Sequence, residues 1–340
     1  MFINNTLGID FGTCNIKIFN QNKKKIINER NIIAIENKDR VLAVGNEAFE
    51  MYEKAPDEIE VVYPISGGVI ASIAYTKMIL HKFLGRGLGL FSKTCDYYIA
   101  IPSDISEVQK RAFNKLITSS NIQAKKVYVV DSAVADAVGV GIDVHKAQGV
   151  FVMNIGADTA EISVLSMGSI VLSKMIQVGG NRIDETIMNF LKRKYSLVVG
   201  EKTAEHLKKT FCCAVPERPD SKTVVAGRDV VTGLPIEKEI SQNEVSEALN
   251  EVLSSIVESA RMILERTPPE LSSDILKDGL YLTGGTSELR RLDDYLASAL
   301  GVKVNRFENP SESVVRGLAK IICDPNYNEL ATEPREKIYY

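Results

Sequence analysis

A strand–loop–strand unit occurs twice in this chain. The first copy runs TLGIDFG (Thr6 to Gly12), NIKIFN (Asn15 to Asn20), a polar QNKKK reversal and IINERNIIAI (Ile26 to Ile35). Apolar and β-branched residues alternate there with polar ones, the period of two that strands require. The second copy starts near Gly149 as GVFVMNIGADT, continues as AEISVLS, turns at Met167-Gly168-Ser169 and returns as IVLSKMIQVGG. Asp10-Phe11-Gly12-Thr13 aligns with Asn154-Ile155-Gly156-Ala157-Asp158-Thr159 once the second loop is given two more residues, after which Asn15-Ile16-Lys17-Ile18 matches Glu161-Ile162-Ser163-Val164. A duplication of this size implies two related lobes. The length of 340 residues, 45% of them hydrophobic, is enough to give each lobe its own core.

CDYYIAIP (Cys95 to Pro102) and KVYVVD (Lys126 to Asp131) read as further strands. Between them Asp104 and Glu107 offer a capping-box-like start for a helix through about Ser120. Strands alternating with helices predict an α/β protein with mostly parallel sheets. Asn181 to Gln242 reads as helical, then irregular. The clearest helix follows, opened by Ser241 with Glu244; Val245, Leu249, Val252, Ile256, Ala260 and Ile263 recur at helical spacing until Pro268-Pro269 ends the run. GLYLTGG (Gly279 to Gly285) then predicts a strand entering a glycine turn, with a helix over SELRRLDDYLASAL. The polar tail after Cys323 is expected to be poorly ordered.

Three glycine turns each follow an apolar strand: Gly12-Thr13, Gly156 to Thr159, and Gly284-Gly285. Glycine lets a main chain approach an anion closely and present its N–H groups. Singly each would be an ordinary turn; together, with two on the duplicated unit, they predict a phosphate clamp. The run Gly85-Arg86-Gly87-Leu88-Gly89 invites a dinucleotide-binding reading, yet it precedes a strand where that motif follows one into a helix, and the reading fails.

These segments resemble a family. GIDFGTCN (Gly8 to Asn15), NIGADTAEI, GGNRIDETI, GEKTAEHLK (Gly200 to Lys208), GRDVVTGLP (Gly227 to Pro235), RTPPEL (Arg266 to Leu271) and LTGGTSELRRLD (Leu282 to Asp293) are similar to the MreB bacterial actins, over about Thr6 to Ile322. The resemblance implies an actin-like α/β fold: two duplicated ribonuclease-H-like lobes around a nucleotide cleft. Lobe I would take residues 1–145 with 315–340, including a small subdomain at 33–64; lobe II would take 146–314, with a small subdomain at 182–242. It further implies ATP with Mg2+, assembly with itself into paired protofilaments, a cytoplasmic location on the inner membrane face, and a role in rod cell shape through the cell-wall elongation machinery. Carried over by position, Gly12, Thr13, Cys14 and Asn15 form the first phosphate loop, and Asp10 reaches the metal through water. Asn154, Gly156, Ala157, Asp158 and Thr159 form the second loop. Glu205, His206, Leu207 and Lys208 lie where the family holds the nucleoside sugar, with Glu205 and Lys208 on one helical face. Gly284, Gly285, Thr286 and Ser287 make the adenosine turn.

Departures from the family mark this chain as a divergent member. The second loop usually reads DIGGGT; here Asn154 replaces an aspartate and Asp158 a glycine. An amide carries no charge for a metal's water shell, and a carboxylate at position 158 meets phosphate as a like charge. Where the family places its hydrolytic glutamate stands Ser132, preceded by Asp131. Serine is a poor general base at neutral pH, so weak or lost hydrolysis is expected, a fully active filament-forming ATPase being the alternative. A sugar kinase on the same fold is a second alternative, but no acceptor-site carboxylate is found for it. A heat-shock chaperone would need a β-rich peptide-binding domain after the nucleotide domain.

Composition narrows the partners. The 41 Lys and Arg nearly balance 44 Asp and Glu, so no basic field gathers nucleic acid. Five irregularly spaced cysteines read as reduced thiols, and with three histidines and no CxxC there is no zinc ligand set. No signal peptide or membrane span is expected. Peripheral attachment remains open through Leu88, Leu90 and Phe91, large apolar residues in a glycine-rich loop between Arg86 and Lys93. The family uses an apolar loop in this region at the membrane; folding back onto the core is the competing expectation. Phe2 and Ile3 offer a second contact.

Overall fold

The computed structural model describes residues 5–37, 39–85, 94–119, 122 and 124–334. The chain divides into two compact units, one of residues 1–148, 165–175 and 312–340, the other of 149–164 and 176–311.

In the first unit the duplicated motif supplies β1 (Asn5–Phe11), β2 (Asn15–Asn20) and β3 (Lys25–Arg30). The expected continuous strand from Ile26 to Ile35 is broken: β3 ends at Arg30, and β4 (Ile33–Glu36) joins a separate sheet with β5 (Arg40–Val44) and β6 (Ile59–Val62). Asn31 makes the break, because its backbone N–H and its side-chain amide both turn to the loop after β1. The helix α1 (Asn46–Met51) covers this small sheet, whose core is Ile32, Ala34 and Ala48 with Phe49, Tyr52 and Tyr63 packed against it. A short hairpin, β7 (Ile65–Ser66) and β8 (Val69–Ile70), leads into α2 (Ile73–Phe83).

The main sheet is completed by β9 (Cys95–Ile101) and β10 (Ala124–Asp131), in the order β10-β9-β1-β2-β3. β9 runs parallel to both β1 and β10, and β2 runs antiparallel to β1. Leu7, Ile9, Ile16, Ile18, Tyr97, Ile99 and Phe113 are fully buried in its core. The helix between β9 and β10, α3 (Glu107–Thr118), starts later than the expected cap at Asp104: Ser106 is the N-cap, in a capping box with Gln109. Asp104 accepts the Met175 N–H at 2.9 Å instead. After β10 comes α4 (Ser132–Gly139), against which α10 (Ser313–Cys323) packs backbone to backbone. A Cβ at Gly317 would lie 1.7 Å from the Ala135 carbonyl oxygen, so only glycine permits that approach. As far as residue 334 the tail is more ordered than its composition suggests. A 3-10 helix spans Pro325–Leu330, and Thr332 bridges Val129 through two backbone hydrogen bonds of 2.8 and 2.9 Å.

The second copy of the motif forms β11 (Val150–Ile155), β12 (Ala160–Ser166) and β13 (Ser169–Ile176), in a sheet ordered β13-β12-β11-β17-β18 with β17 (Leu280–Thr283) and β18 (Val304–Asn305). The segment read as irregular is folded: α5 (Gly180–Tyr195), β14 (Leu197–Val198) and α6 (Glu201–Thr210) precede an antiparallel hairpin of β15 (Lys222–Asp229) and β16 (Pro235–Ser241). The long helix α7 (Gln242–Arg266) is capped by Ser241, and every apolar residue of its predicted stripe is buried. Pro268-Pro269 ends it and at once opens α8 (Pro269–Asp278), proline being suited to a first helical turn. Beyond β17 the chain makes a 3-10 turn at Gly285–Glu288, and α9 begins only at Leu292 (Leu292–Leu300).

Candidate functional site

The first loop is shaped from below by one buried residue. Asn31, with no exposed surface, donates its side-chain amide to the Gly12 carbonyl at 2.9 Å and its backbone N–H to the Cys14 carbonyl at 2.8 Å. In a planar trans peptide the next N–H points opposite to the carbonyl. The N–H groups of Thr13 and Asn15 are thereby turned away from Asn31. Gly12 is required: a Cβ there would sit 2.6 Å from the Asn15 carbonyl oxygen. The Arg30 guanidinium donates to the Cys14 sulfur and lies 4.2 Å from the centre of the Phe49 ring, and the Asn15 side chain donates to Asn28 at 2.7 Å. Asp10 stands opposite Lys17 in the β1–β2 register and receives its ammonium at 3.0 Å.

The second loop is held from one side by α5 and from another by the turn after β17. The Gly156 carbonyl accepts from the Gly180 N–H at 3.0 Å and from the Thr286 hydroxyl at 2.7 Å; the Ala157 carbonyl accepts from the Asn181 N–H at 2.7 Å. By the same planarity, the N–H groups of Ala157 and Asp158 point away from α5. Gly156 also donates to the Thr159 carbonyl at 2.8 Å, closing the loop. The Asp158 carboxylate is drawn toward α5, accepting from the Asn181 side chain at 2.6 Å. Gly284 takes φ 83°, and a Cβ on it would lie 2.3 Å from the Ile155 carbonyl oxygen. The Ser287 hydroxyl closes that turn onto the Gly284 carbonyl at 2.6 Å.

Glu205 and Lys208, expected to act together, have different partners. Glu205 pairs with Lys209 at 2.6 Å, whereas Lys208 is nearly buried, its ammonium bonded to Asp184 at 2.6 Å and to the Gly180 carbonyl at 3.0 Å. Burial lifts the Asp184 carboxyl to about 6 in spite of the ammonium beside it. His206 is exposed and Leu207 is core. Asp131 ends β10 as the N-cap residue of α4 and accepts the Ser103 hydroxyl at 3.1 Å; Ser132 is the first residue of α4. Leu88, Leu90 and Phe91 lie outside the described residues.

Reading the sequence missed Lys17, Arg30, Asn31, Asn181 and Asp184. Lys17 had a signal: a hairpin turning at residues 12–14 sets position 17 opposite position 10, an Asp facing a Lys. Asn31 left no such signal, since it ends the polar run Asn28-Glu29-Arg30-Asn31. Asp184 and Asn181 lie in the quoted GGNRIDETI, but the partners Lys208 and Asp158 come from distant positions.

The residues around the second loop fit a nucleotide. A Cβ on Gly180 would lie 2.7 Å from the Thr286 hydroxyl and 3.0 Å from the Lys208 ammonium, so glycine there lets the start of α5, the turn after β17 and Lys208 pack closely around the loop. Neither loop, taken by itself, fits a magnesium ion equally well. Asp10 is already paired with an ammonium, position 154 is a neutral amide, and among the described residues no group of three His, Cys, Asp or Glu side chains is placed to hold a metal.

Two sheets built on one repeated motif, with glycine loops at equivalent strand ends, define an actin-like protein. MreB5 of Spiroplasma citri bound to AMPPNP matches with a TM-score of 0.91 and 28% identity, over 97% of this chain and 99% of its own. The MamK double helical filament shares the fold at a TM-score of 0.79 and 21% identity, over 94% of this chain and 98% of that one. The family model for MreB/Mbl protein matches residues 4–329. Cell shape-determining protein Mbl of Bacillus subtilis (strain 168) is 38% identical over 314 residues, 92% of this chain and 93% of that protein. Cell shape-determining protein MreB of Escherichia coli (strain K12) is 34% identical over 326 residues, 94% and 93% of the two. This chain belongs to the MreB/Mbl family.

Proposed function

We propose that this protein is an ATP-binding, actin-like filament protein that acts in cell-shape determination from the inner face of the membrane, with weak ATP hydrolysis. The observation that carries the reading is the rim in which the second loop, the start of α5 and the Gly284–Ser287 turn are hydrogen-bonded together around glycines. MreB5 of Spiroplasma citri binds AMPPNP and ADP, and shares this fold at 28% identity. Gly12 to Asn15 serve as the first phosphate loop, and Glu205 and Lys208 as the sugar-side pair, Lys208 leaving or sharing Asp184 to do so. Assembly into paired protofilaments is supported by the MamK filament only as a property of that fold. The slow turnover rests on Ser132 at the start of α4, a position without a carboxylate base.

No helix among the described residues is long and apolar enough to cross a membrane. Attachment is assigned to Leu88, Leu90 and Phe91, whose weak individual insertion a filament would multiply. A reducing cytoplasm is inferred from the odd number and irregular spacing of the five cysteines. Electron microscopy and sedimentation of purified protein with and without ATP test assembly: nucleotide-dependent filaments are expected, and protein that stays monomeric at high concentration, with every nucleotide and on lipid, overturns it. Liposome co-sedimentation of a Leu90→Ser, Phe91→Ser variant that still polymerises tests attachment, undiminished lipid binding assigning those residues elsewhere.

A further inference from the structure

We propose that this chain binds ATP without needing a divalent cation, the Lys17 ammonium supplying at the first loop the positive charge that a hydrated metal would bring. The proposal rests on the nucleotide-binding reading above.

Lys17 is a nearly buried lysine, its side chain 11% exposed, 3.0 Å from a carboxylate that is itself 17% exposed. An ammonium has three donors, and Asp10 takes one of them. The ammonium sits against the loop: the position a Cβ would occupy on Gly12 is 3.9 Å from Lys17 Nζ. It is therefore next to the peptide whose neighbours, the N–H groups of Thr13 and Asn15, are turned away from Asn31. A carboxylate balanced at this distance by a poorly solvated ammonium has little negative potential left for the water shell of a dication. Asp10 is thus a poor metal-side group, while its partner is a phosphate-side group.

The repeat makes the same point independently. Asp10 and Lys17 align with Asn154 and Ser163, so at the second loop both charges are missing together. Loss of the carboxylate alone would leave a lysine without its counter-charge. Loss of both leaves a neutral pair. Neither copy therefore offers an unbalanced carboxylate at this strand position. The other carboxylate of the second loop, Asp158, is engaged by Asn181.

Lys17→Met separates the roles. It strips Asp10 of its ammonium and leaves a bare carboxylate beside the loop, which repels phosphate unless a dication lies between. Titration of the purified protein with a fluorescent ATP analogue, in excess EDTA and in millimolar Mg2+, reads this directly. Wild type is expected to bind within about threefold in the two buffers; Lys17→Met should lose about tenfold or more in EDTA and recover most of it in Mg2+, while Lys17→Arg should stay metal-independent. Thermal melting of the ligand-free variants checks that they fold, and the wild-type comparison stands without any variant. Wild-type binding that weakens tenfold or more in EDTA overturns the proposal and leaves the nucleotide reading intact, as does a Lys17→Met protein with the wild-type ratio. Absence of binding in both buffers overturns both.

Discussion

The two glycine loops descend from one repeated unit yet are held by different means. The first is secured locally: Asn31, sixteen residues past Asn15, anchors two of its carbonyls, and the backing ion pair of Asp10 and Lys17 lies across a single hairpin. The second is secured by remote elements, the start of α5 and the turn after β17, and its backing pair, Asp184 with Lys208, joins two helices. Two added residues lengthen the second loop beyond what a neighbouring strand reaches, so helix donors take over the carbonyls. A duplicated backbone motif is therefore kept without keeping the groups that hold its loop carbonyls.

The largest expected effect breaks the comparison at the backing pairs. Asp184 titrates near 6 because burial raises it, against an ordinary value of 3.8. The folded protein thus holds a proton that the unfolded chain has released between those values, and the associated stability, complete below about 4, is lost as pH rises through about 6. The difference of roughly two pH units corresponds to about 3 kcal/mol. Urea unfolding of wild type and Asp184→Asn across pH 4 to 7 should show wild type losing stability relative to the variant over that window and running parallel above it. A difference that does not vary with pH would place the Asp184 carboxyl among ordinary exposed acids.

The same contrast explains what was legible in the sequence. Apart from the break at Asn31, the strands of the repeat follow local period and composition, as do the stripe of α7 and the three glycine turns, and the structure has them where expected. The hairpin over 222–241 was read as irregular because alternation there carries charge on an exposed face: Val224 is 61% exposed while Val225 is buried. The helix expected from Ser287 starts at Leu292, because Thr286 and Ser287 spend their hydroxyls on backbone carbonyls and tighten the turn. The helix expected from Asp104 is capped by Ser106, because Asp104 is taken by the distant Met175 N–H. Within the site, the turns were visible, whereas the Lys208–Asp184 pair bridges 24 residues and leaves no local trace.

A smaller effect sharpens the comparison at the glycines themselves. A Cβ on Gly12 would come within 2.6 Å of the Asn15 carbonyl oxygen, while one on Gly156 would stop 3.4 Å from that of Thr159. Gly12→Ala should then displace backbone and cost about 2 kcal/mol in urea unfolding, with weaker ATP binding; Gly156→Ala should stay within about 0.5 kcal/mol of wild type. Equal costs at the two positions would mean that loop length, and not the anchoring described here, sets how tightly each turn is wound.

The smallest effect concerns chemistry, and it asks whether the second loop can be made like the first. Asn154→Asp restores at the second copy the carboxylate that Asp10 provides at the first, with no lysine at position 163 to balance it. Asp158→Gly removes the charge that Asn181 now holds, and Ser132→Glu places a carboxylate base on the first residue of α4, next to Asp131. The triple variant should release phosphate from ATP about tenfold faster than wild type, below the roughly hundredfold at which the contribution of a well-positioned base starts. That gain should appear only with Mg2+, because an unbalanced carboxylate at position 154 is the group a dication's waters can bind, whereas slow wild-type turnover should be little affected by EDTA. Phosphate-release assays in the two buffers decide it. A wild type already as fast as the variant would remove Ser132 as the cause of slow turnover, and a gain that survives EDTA would move the effect of these substitutions from the metal to the base alone.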